Sequence, residues 1–169
     1  MRKPIKTPRL VLRAMEATDR DQLVSIFTND TVKQTYMVPD FESREAAELL
    51  FERICELSHR EDRYVFGIYL QNTLIGLLND AEISDKTIEM GYALHPNYYN
   101  QGYATEAMRA TMDYLFGVGF EEVLAGAFEE NPASLRVMQK CGMQKLDKTD
   151  LIDYRGKTHT CIYYAKRRA

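Results

Sequence analysis

The chain has 169 residues and a net charge of −3, with 45% hydrophobic and 28% charged residues, the proportions of an ordinary globular protein. The mild negative charge argues against a general nucleic-acid binder, and no apolar stretch is long enough for a transmembrane helix. We therefore expect a single domain over residues 1–169, located in the cytoplasm, that binds neither nucleic acid nor membrane.

The cysteines and histidines give no sign of a disulfide framework or a metal site. Cys55, Cys141 and Cys161 are too few and too far apart to staple a small fold. The histidines are equally scattered, and no pair has the spacing of zinc ligands. We predict a protein without a metal cofactor.

The first part of the chain predicts a strand, then helices, then an antiparallel meander. Residues 9–15 alternate as a strand, Thr18 with Asp21 resembles a capping box that begins a helix, and Ser43 caps a longer helix. Three further strands are predicted at residues 64–70, 73–78 and 88–94, separated by turns at 71–72 and 84–86.

The second part predicts helices between strands. Apolar residues recur at three- and four-residue steps over 104–116, and a strand follows at 123–128. Asn131 and Pro132 are an N-cap and a first helical residue, and a final hairpin turns at 155–156. This order of elements predicts an α+β fold rather than a doubly wound parallel sheet.

The turn around Gly102 is the most informative local feature. It follows the strand at 88–94 and begins the helix at 104–116. Backbone N–H groups at a helix N-terminus suit a phosphate, and a glycine lets the ligand approach closely. The alternative is an ordinary strand-to-helix connection in which glycine only supplies a positive φ. The turn lacks the Gly-Lys-Ser/Thr of a nucleotide-hydrolysing P-loop, and the fold class weakens a dinucleotide-binding interpretation.

Four segments in the expected order resemble the GNAT superfamily of acyl-CoA-dependent N-acetyltransferases, and within it the RimJ/RimL-type branch that acetylates ribosomal-protein N-termini. They are similar to the family's opening strand, its fourth strand, its coenzyme loop with the following helix, and the segment that usually ends in Lys-x-Gly-Phe. These segments are residues 7–13, 89–96, 99–107 and 131–143.

The resemblance implies a mixed, largely antiparallel sheet of about seven strands, splayed between strands 4 and 5 and flanked by about four helices. Acetyl-CoA would lie in the splay, with its pyrophosphate on the turn amides and its pantetheine paired with the end of the fourth strand. The implied coenzyme-binding residues are Tyr92, Ala93, Leu94, Tyr99, Asn100, Gln101, Gly102, Tyr103, Ala104, Thr105 and Asn131.

Two positions depart from the family pattern. Tyr99 stands where many members have Gln or Arg, a variant typical of this branch, and amides rather than side chains hold the phosphates. Met138 replaces a tyrosine that is often proposed to protonate the thiolate. The resemblance places Ser134 near the sulfur, where its hydroxyl could serve as the donor instead. The alternative for Ser134 is a polar residue bonded to its own helix cap.

Acetyl transfer to an amine requires a base, because most alkylamines are protonated at neutral pH. Glu89 is the candidate, since it alternates with Ile88 and Met90 and so projects from the opposite face of its strand. The alternative is a solvent-facing carboxylate paired with a neighbouring cation. A backbone N–H near Ala93 or Leu94 would meet the oxyanion, and no acyl-enzyme is required.

The leading hypothesis is therefore an enzyme that moves acetyl from acetyl-CoA to a primary amine, with a protein N-terminus as acceptor. Alternatives are acetylation of a small amine, such as a polyamine or an aminoglycoside, and an acyl-CoA sensor without catalytic activity. The loss of tyrosine at Met138 favours the sensor, and Glu89 with Ser134 favours the enzyme. The sequence leaves the oligomeric state open, a homodimer included.

Overall fold

The computed structural model describes residues 1–169, which form eight strands and five α-helices. The strands are β1 (Ile5–Lys6), β2 (Leu10–Arg13), β3 (Phe66–Leu70), β4 (Thr73–Ser84), β5 (Thr87–Leu94), β6 (Glu122–Phe128), β7 (Gln144–Tyr154) and β8 (Lys157–Arg167). The helices are α1 (Arg20–Phe27), α2 (Asp30–Lys33), α3 (Arg44–Ser58), α4 (Tyr103–Gly117) and α5 (Pro132–Lys140).

The strands form one mixed sheet in the order β1-β2-β3-β4-β5-β6-β8-β7. The β5–β6 pair is parallel, and its register covers only Thr87–Glu89 against Glu122–Leu124. Beyond Glu89 the two strands, which are the predicted strands 4 and 5, have no paired residues in this register. The predicted α+β class is confirmed, with the short β1 as an eighth strand and with β4 continuing six residues past the predicted end at Leu78.

The chain divides into two compact units, and the first comprises Met1–Asn79 and Tyr92–Ala110. Helices α1 and α3 present apolar faces to a core that includes Leu23, Phe27, Phe51, Tyr69 and Leu77. Ser43 caps α3 by accepting the amide of Ala46, as predicted. The predicted Thr18–Asp21 capping box does not begin α1, because Asp19 instead accepts the amide of Glu16 at 2.8 Å and a 3-10 turn precedes the helix.

The second unit comprises Asp80–Gly91 and Thr111–Ala169. Strand β6 pairs with β8 along its whole length, and β8 pairs in turn with β7. The β7–β8 hairpin turns at Arg155 and Gly156, both at positive φ, as the sequence predicts. None of the helices has both the length and the apolar character needed to cross a membrane. The single-domain organisation of the chain stays a prediction.

Candidate active site

In the first unit, an exposed turn connects β5 to α4. Asn100 has φ 59° and Gly102 has φ 81°, so two left-handed residues bracket Gln101 and reverse the chain just before the helix. The first bond of α4 runs from the Glu106 N–H to the Gly102 carbonyl at 3.0 Å. The amides that precede Glu106 in this first turn point toward the helix N-terminus, where a macrodipole favours an anion.

The backbone conformation of Gly102 requires glycine, and an added side chain would also crowd Arg9. Its positive φ strains any residue with a side chain. A Cβ at this position would also lie 3.2 Å from Nη2 of Arg9. The sequence predicted the conformational reason, whereas the contact with Arg9 comes from a residue 93 positions earlier in the chain.

The chain that leads into the turn is braced by its own side chains. Nδ1 of His95 accepts the amide of Asn97 at 3.2 Å, and the Gln101 side-chain amide donates to the Asn97 carbonyl at 3.2 Å. The rings of Tyr98 and Tyr103 meet edge to face, with centroids 6.4 Å apart. These contacts hold the turn in one conformation while leaving its backbone at the surface.

Arg9 and Glu106 form an ion pair beside the turn. Nε of Arg9 donates to Oε2 of Glu106 at 2.7 Å, and the Arg9 amide donates to Oε1 at 2.9 Å. Thr7 adds a hydroxyl bond of 2.7 Å to Oε1. Although burial acts to raise it, the pKa of Glu106 lies below its usual range because the hydrogen bonds from Thr7 and Arg9 outweigh burial. Sequence reasoning missed this pair, since 97 residues separate its members.

The end of β5 supplies the predicted pantetheine strand. Ala93 and Leu94 are buried and Tyr92 is half-buried. The next amide, that of His95, donates to the Ile75 carbonyl at 2.8 Å, which fixes the end of β5 beside β4. The backbone of Tyr92 to Leu94 is therefore held at a defined position within the first unit.

In the second unit, Glu89 is half-buried and forms the last paired position of β5 with Leu124 of β6. Burial raises the pKa of Glu89 above its usual range; the Lys148 charge opposes this shift, whereas Glu82 and Asp150 reinforce it. A general base works best when its pKa lies near the operating pH. A carboxylate of raised pKa is therefore a better general base than an ordinary surface carboxylate.

Asn131 and Ser134 lie at the start of α5 in the second unit. Oδ1 of Asn131 accepts the amide of Ser134 at 3.2 Å, so the predicted N-cap is present. Ser134 is partly accessible, whereas Met138, one turn further along, is fully buried. Met138, where the resemblance implies a tyrosine in other members, is thus a core side chain without an acidic proton.

The structure adds a group of polar side chains that sequence reasoning missed. Tyr163 of β8 pairs with Gly126 of β6, and a Cβ on that glycine would lie 2.9 Å from the Tyr163 ring. The Tyr163 hydroxyl donates to Asp150 at 2.8 Å, and Nζ of Lys148 lies 4.4 Å from the ring centroid. The alternation of β8 could have placed Tyr163 on this face, but only the strand pairing brings it over Gly126.

The predicted coenzyme residues from Tyr92 to Thr105 all lie in the first unit. Within it, the two groups of predicted coenzyme residues, 92–94 at the end of β5 and 99–105 at the turn and the start of α4, are separated by only four residues, 95–98. Glu89, Asn131 and Ser134 lie in the second unit, where they belong to β5 and to the start of α5.

Comparison with known proteins identifies the family to which the chain belongs. Residues 9–144 match the acetyltransferase (GNAT) domain. YoaA of Bacillus subtilis (strain 168), described as an uncharacterised N-acetyltransferase, is 30% identical over 146 residues, covering 83% of this chain and 82% of the relative. The chain belongs to the GNAT family of N-acetyltransferases.

Two solved structures share the fold. A structure of RimL, the ribosomal L7/L12 α-N-protein acetyltransferase, in complex with coenzyme A has a TM-score of 0.86 and 21% identity, covering 98% of each chain. Spermidine N-acetyltransferase from Vibrio cholerae, in complex with CoA and spermine, has a TM-score of 0.80 and 20% identity, covering 95% of this chain and 96% of that chain. The chain therefore has the same fold as these two acetyltransferases.

Proposed function

We propose that the protein transfers the acetyl group of acetyl-CoA directly to a primary amine, with a protein N-terminal amine as the acceptor. The observation that carries this proposal is the exposed turn at Asn100–Gly102, which leads into the N-terminus of α4 beside a braced strand end. Relatives of the same fold have been solved with coenzyme A. The turn has the chemistry that a diphosphate requires.

The coenzyme would contact the first unit through main-chain atoms. Amides from Asn100 to Thr105 would hold the pyrophosphate, and Tyr99 would lie at the head of the loop. The amide groups of pantetheine would pair with Tyr92 to Leu94 as an added strand. Asn131 would contribute from the start of α5. Main-chain recognition of this kind explains why Tyr99 can replace the family's Gln or Arg without loss of the anion site.

The reaction requires a proton to leave the amine and another to reach the sulfur. Glu89, directly or through a water molecule, would take the proton of the ammonium group. The free amine then attacks the thioester carbon and forms the C–N bond of a tetrahedral oxyanion. The C–S bond breaks as this intermediate collapses, and the second proton of the attacking nitrogen passes to the departing sulfur. A backbone N–H near Ala93 would stabilise the oxyanion, and the Ser134 hydroxyl would donate a hydrogen bond to the leaving thiolate.

A protein N-terminus is the preferred acceptor because four segments of the sequence resemble the RimJ/RimL-type branch and RimL shares the fold. A cationic small amine is the second candidate. The charges of Glu82 and Asp150 both act on Glu89, and such a group of carboxylates attracts a polyamine. The shared fold with a spermidine N-acetyltransferase also supports this second candidate.

Release of free thiol from acetyl-CoA tests the proposal. The purified protein would be assayed with pooled N-terminal peptides, with polyamines and with aminoglycosides as separate acceptors. Turnover with peptides supports the leading proposal, and turnover with spermidine alone supports the second candidate. Tight CoA binding without thiol release for any acceptor would identify a sensor and contradict the enzymatic proposal.

A further inference from the structure

The guanidinium of Arg9 contacts three separate parts of the turn that begins α4. Nη1 donates to the Gln101 carbonyl at 2.8 Å, and Nε donates to Glu106 at 2.7 Å. The Cζ atom lies 4.4 Å from the centroid of the Tyr103 ring. A single planar side chain thus links the residue before Gly102, the residue after it and the first full turn of the helix.

The bond to Gln101 fixes the orientation of the next amide. A trans peptide is planar, and its C=O and N–H point in opposite directions. Because the Gln101 carbonyl points toward Arg9, the Gly102 N–H points away from Arg9, to the other side of the turn. Arg9 therefore determines the direction of an amide in the proposed pyrophosphate site.

Glu106 holds Arg9 in the orientation that this bond requires. Its carboxylate accepts both Nε and the main-chain amide of Arg9, and it also accepts the Thr7 hydroxyl. The side chain of Glu106 is 16% exposed, whereas that of Arg9 is 44% exposed. Charge-assisted bonds to a largely covered carboxylate are among the stronger hydrogen bonds in proteins, so the contact restrains the long side chain.

We propose that Arg9 is a positioning residue for the coenzyme: with Glu106 as its anchor, it presets the Gln101–Gly102 peptide so that the turn amides converge on the pyrophosphate. The proposal rests on the proposed function. It assigns a role in coenzyme affinity to Arg9, which directly precedes β2, and to Glu106, a carboxylate in the first turn of α4.

Substitution of Glu106 separates positioning from charge. Glu106→Gln removes a negative charge from the helix N-terminus, so electrostatics alone would tighten the binding of anionic CoA. If Glu106 acts by anchoring Arg9, the same substitution weakens CoA binding. Isothermal titration calorimetry with CoA gives the sign directly, and Glu52→Gln on the exposed face of α3 is the matched control.

Substitution of Arg9 tests whether the guanidinium must donate to Glu106 and to the Gln101 carbonyl at the same time. Because Lys cannot reach two acceptors in this geometry, we expect Arg9→Lys and Arg9→Gln both to raise the Kd for CoA roughly tenfold or more. The kcat at saturating acetyl-CoA and the KM for the amine should remain unchanged, as should the dependence of Kd on salt. Arg53→Gln, at an exposed position of α3, is the control for the loss of one positive charge.

Three results would overturn the proposal: tighter binding by Glu106→Gln, full affinity in Arg9→Lys, or a flatter salt dependence in Arg9→Gln, which would indicate a direct ion contact. Thermal unfolding of each variant identifies any that fails to fold, and Glu106→Gln then decides alone because it preserves the side-chain shape. If the wild-type protein does not bind CoA, the proposed function fails instead.

Discussion

A Cβ atom on Gly76 would lie 2.3 Å from the carbonyl oxygen of Ala93, closer than any tolerated contact. The same atom would lie 2.6 Å from Cδ2 of Leu94. Gly76 therefore allows β4 to approach the end of β5, where the predicted pantetheine strand lies. Its requirement for glycine is spatial, since its φ is not in the left-handed region.

We expect Gly76→Ala to destabilise the protein by about 1–3 kcal/mol, the usual cost of overpacking a tight core. The added methyl group must displace main-chain atoms of Ala93, which cannot rotate away as a side chain can. Urea denaturation followed by circular dichroism measures the change. Gly117→Ala is the matched control because nothing lies within 4 Å of its Cβ position, and equal stability losses in both variants would contradict the prediction.

Local signals in the sequence predicted the elements that depend on neighbouring residues. The Asn131–Pro132 helix start, the Ser43 cap and the hairpin at Arg155–Gly156 all have their reasons within a few positions of the chain. The turn at Gly102 belongs to the same class, because a positive φ is a property of the turn itself. Capping and turn chemistry are short-range, and sequence spacing is enough to recognise them.

Long-range contacts could not be predicted from spacing. Arg9 meets Glu106 across 97 positions, and Gly76 meets Ala93 only because two strands approach. The predicted Thr18–Asp21 capping box was wrong for a short-range reason. Asp19 is an equally suitable capping residue nearby, and its carboxylate accepts the Glu16 amide. Each of these features depends on which of several chemically suitable partners the fold brings close.

Ser134→Ala should lower kcat more than it weakens CoA binding, if the hydroxyl donates to the leaving thiolate. The helix start itself should persist, because the Ser134 main-chain amide, not its hydroxyl, donates to Asn131. Steady-state kinetics with varied acetyl-CoA, together with CoA titrations, separate the two effects. A higher Kd with unchanged kcat would make Ser134 a binding residue only.

Glu89→Gln should lower kcat by roughly a hundredfold to ten-thousandfold, the range for loss of a general base. As the proposed base, Glu89 must be ionised to accept a proton, so activity is expected to fall as the pH drops through its pKa. Since burial raises that pKa, the acid limb of kcat should lie above the value of about 4.3 for an ordinary glutamate. An active Glu89→Gln enzyme with the same limb would remove Glu89 from the mechanism.

Lys148→Met should move this acid limb to higher pH. The Lys148 charge favours ionised Glu89, whereas Glu82 on β4 and Asp150 on β7 disfavour it, so removing the lysine leaves burial and both carboxylates unopposed. The profile of kcat against pH, measured at saturating concentrations of both substrates, records the displacement. Lys145→Met on the same strand removes a second exposed cation, one that is not among the charges acting on Glu89, and it should leave the limb in place. If the acid limb of the Lys148→Met variant is unchanged or moves to lower pH, a group other than Glu89 controls the pH profile of kcat.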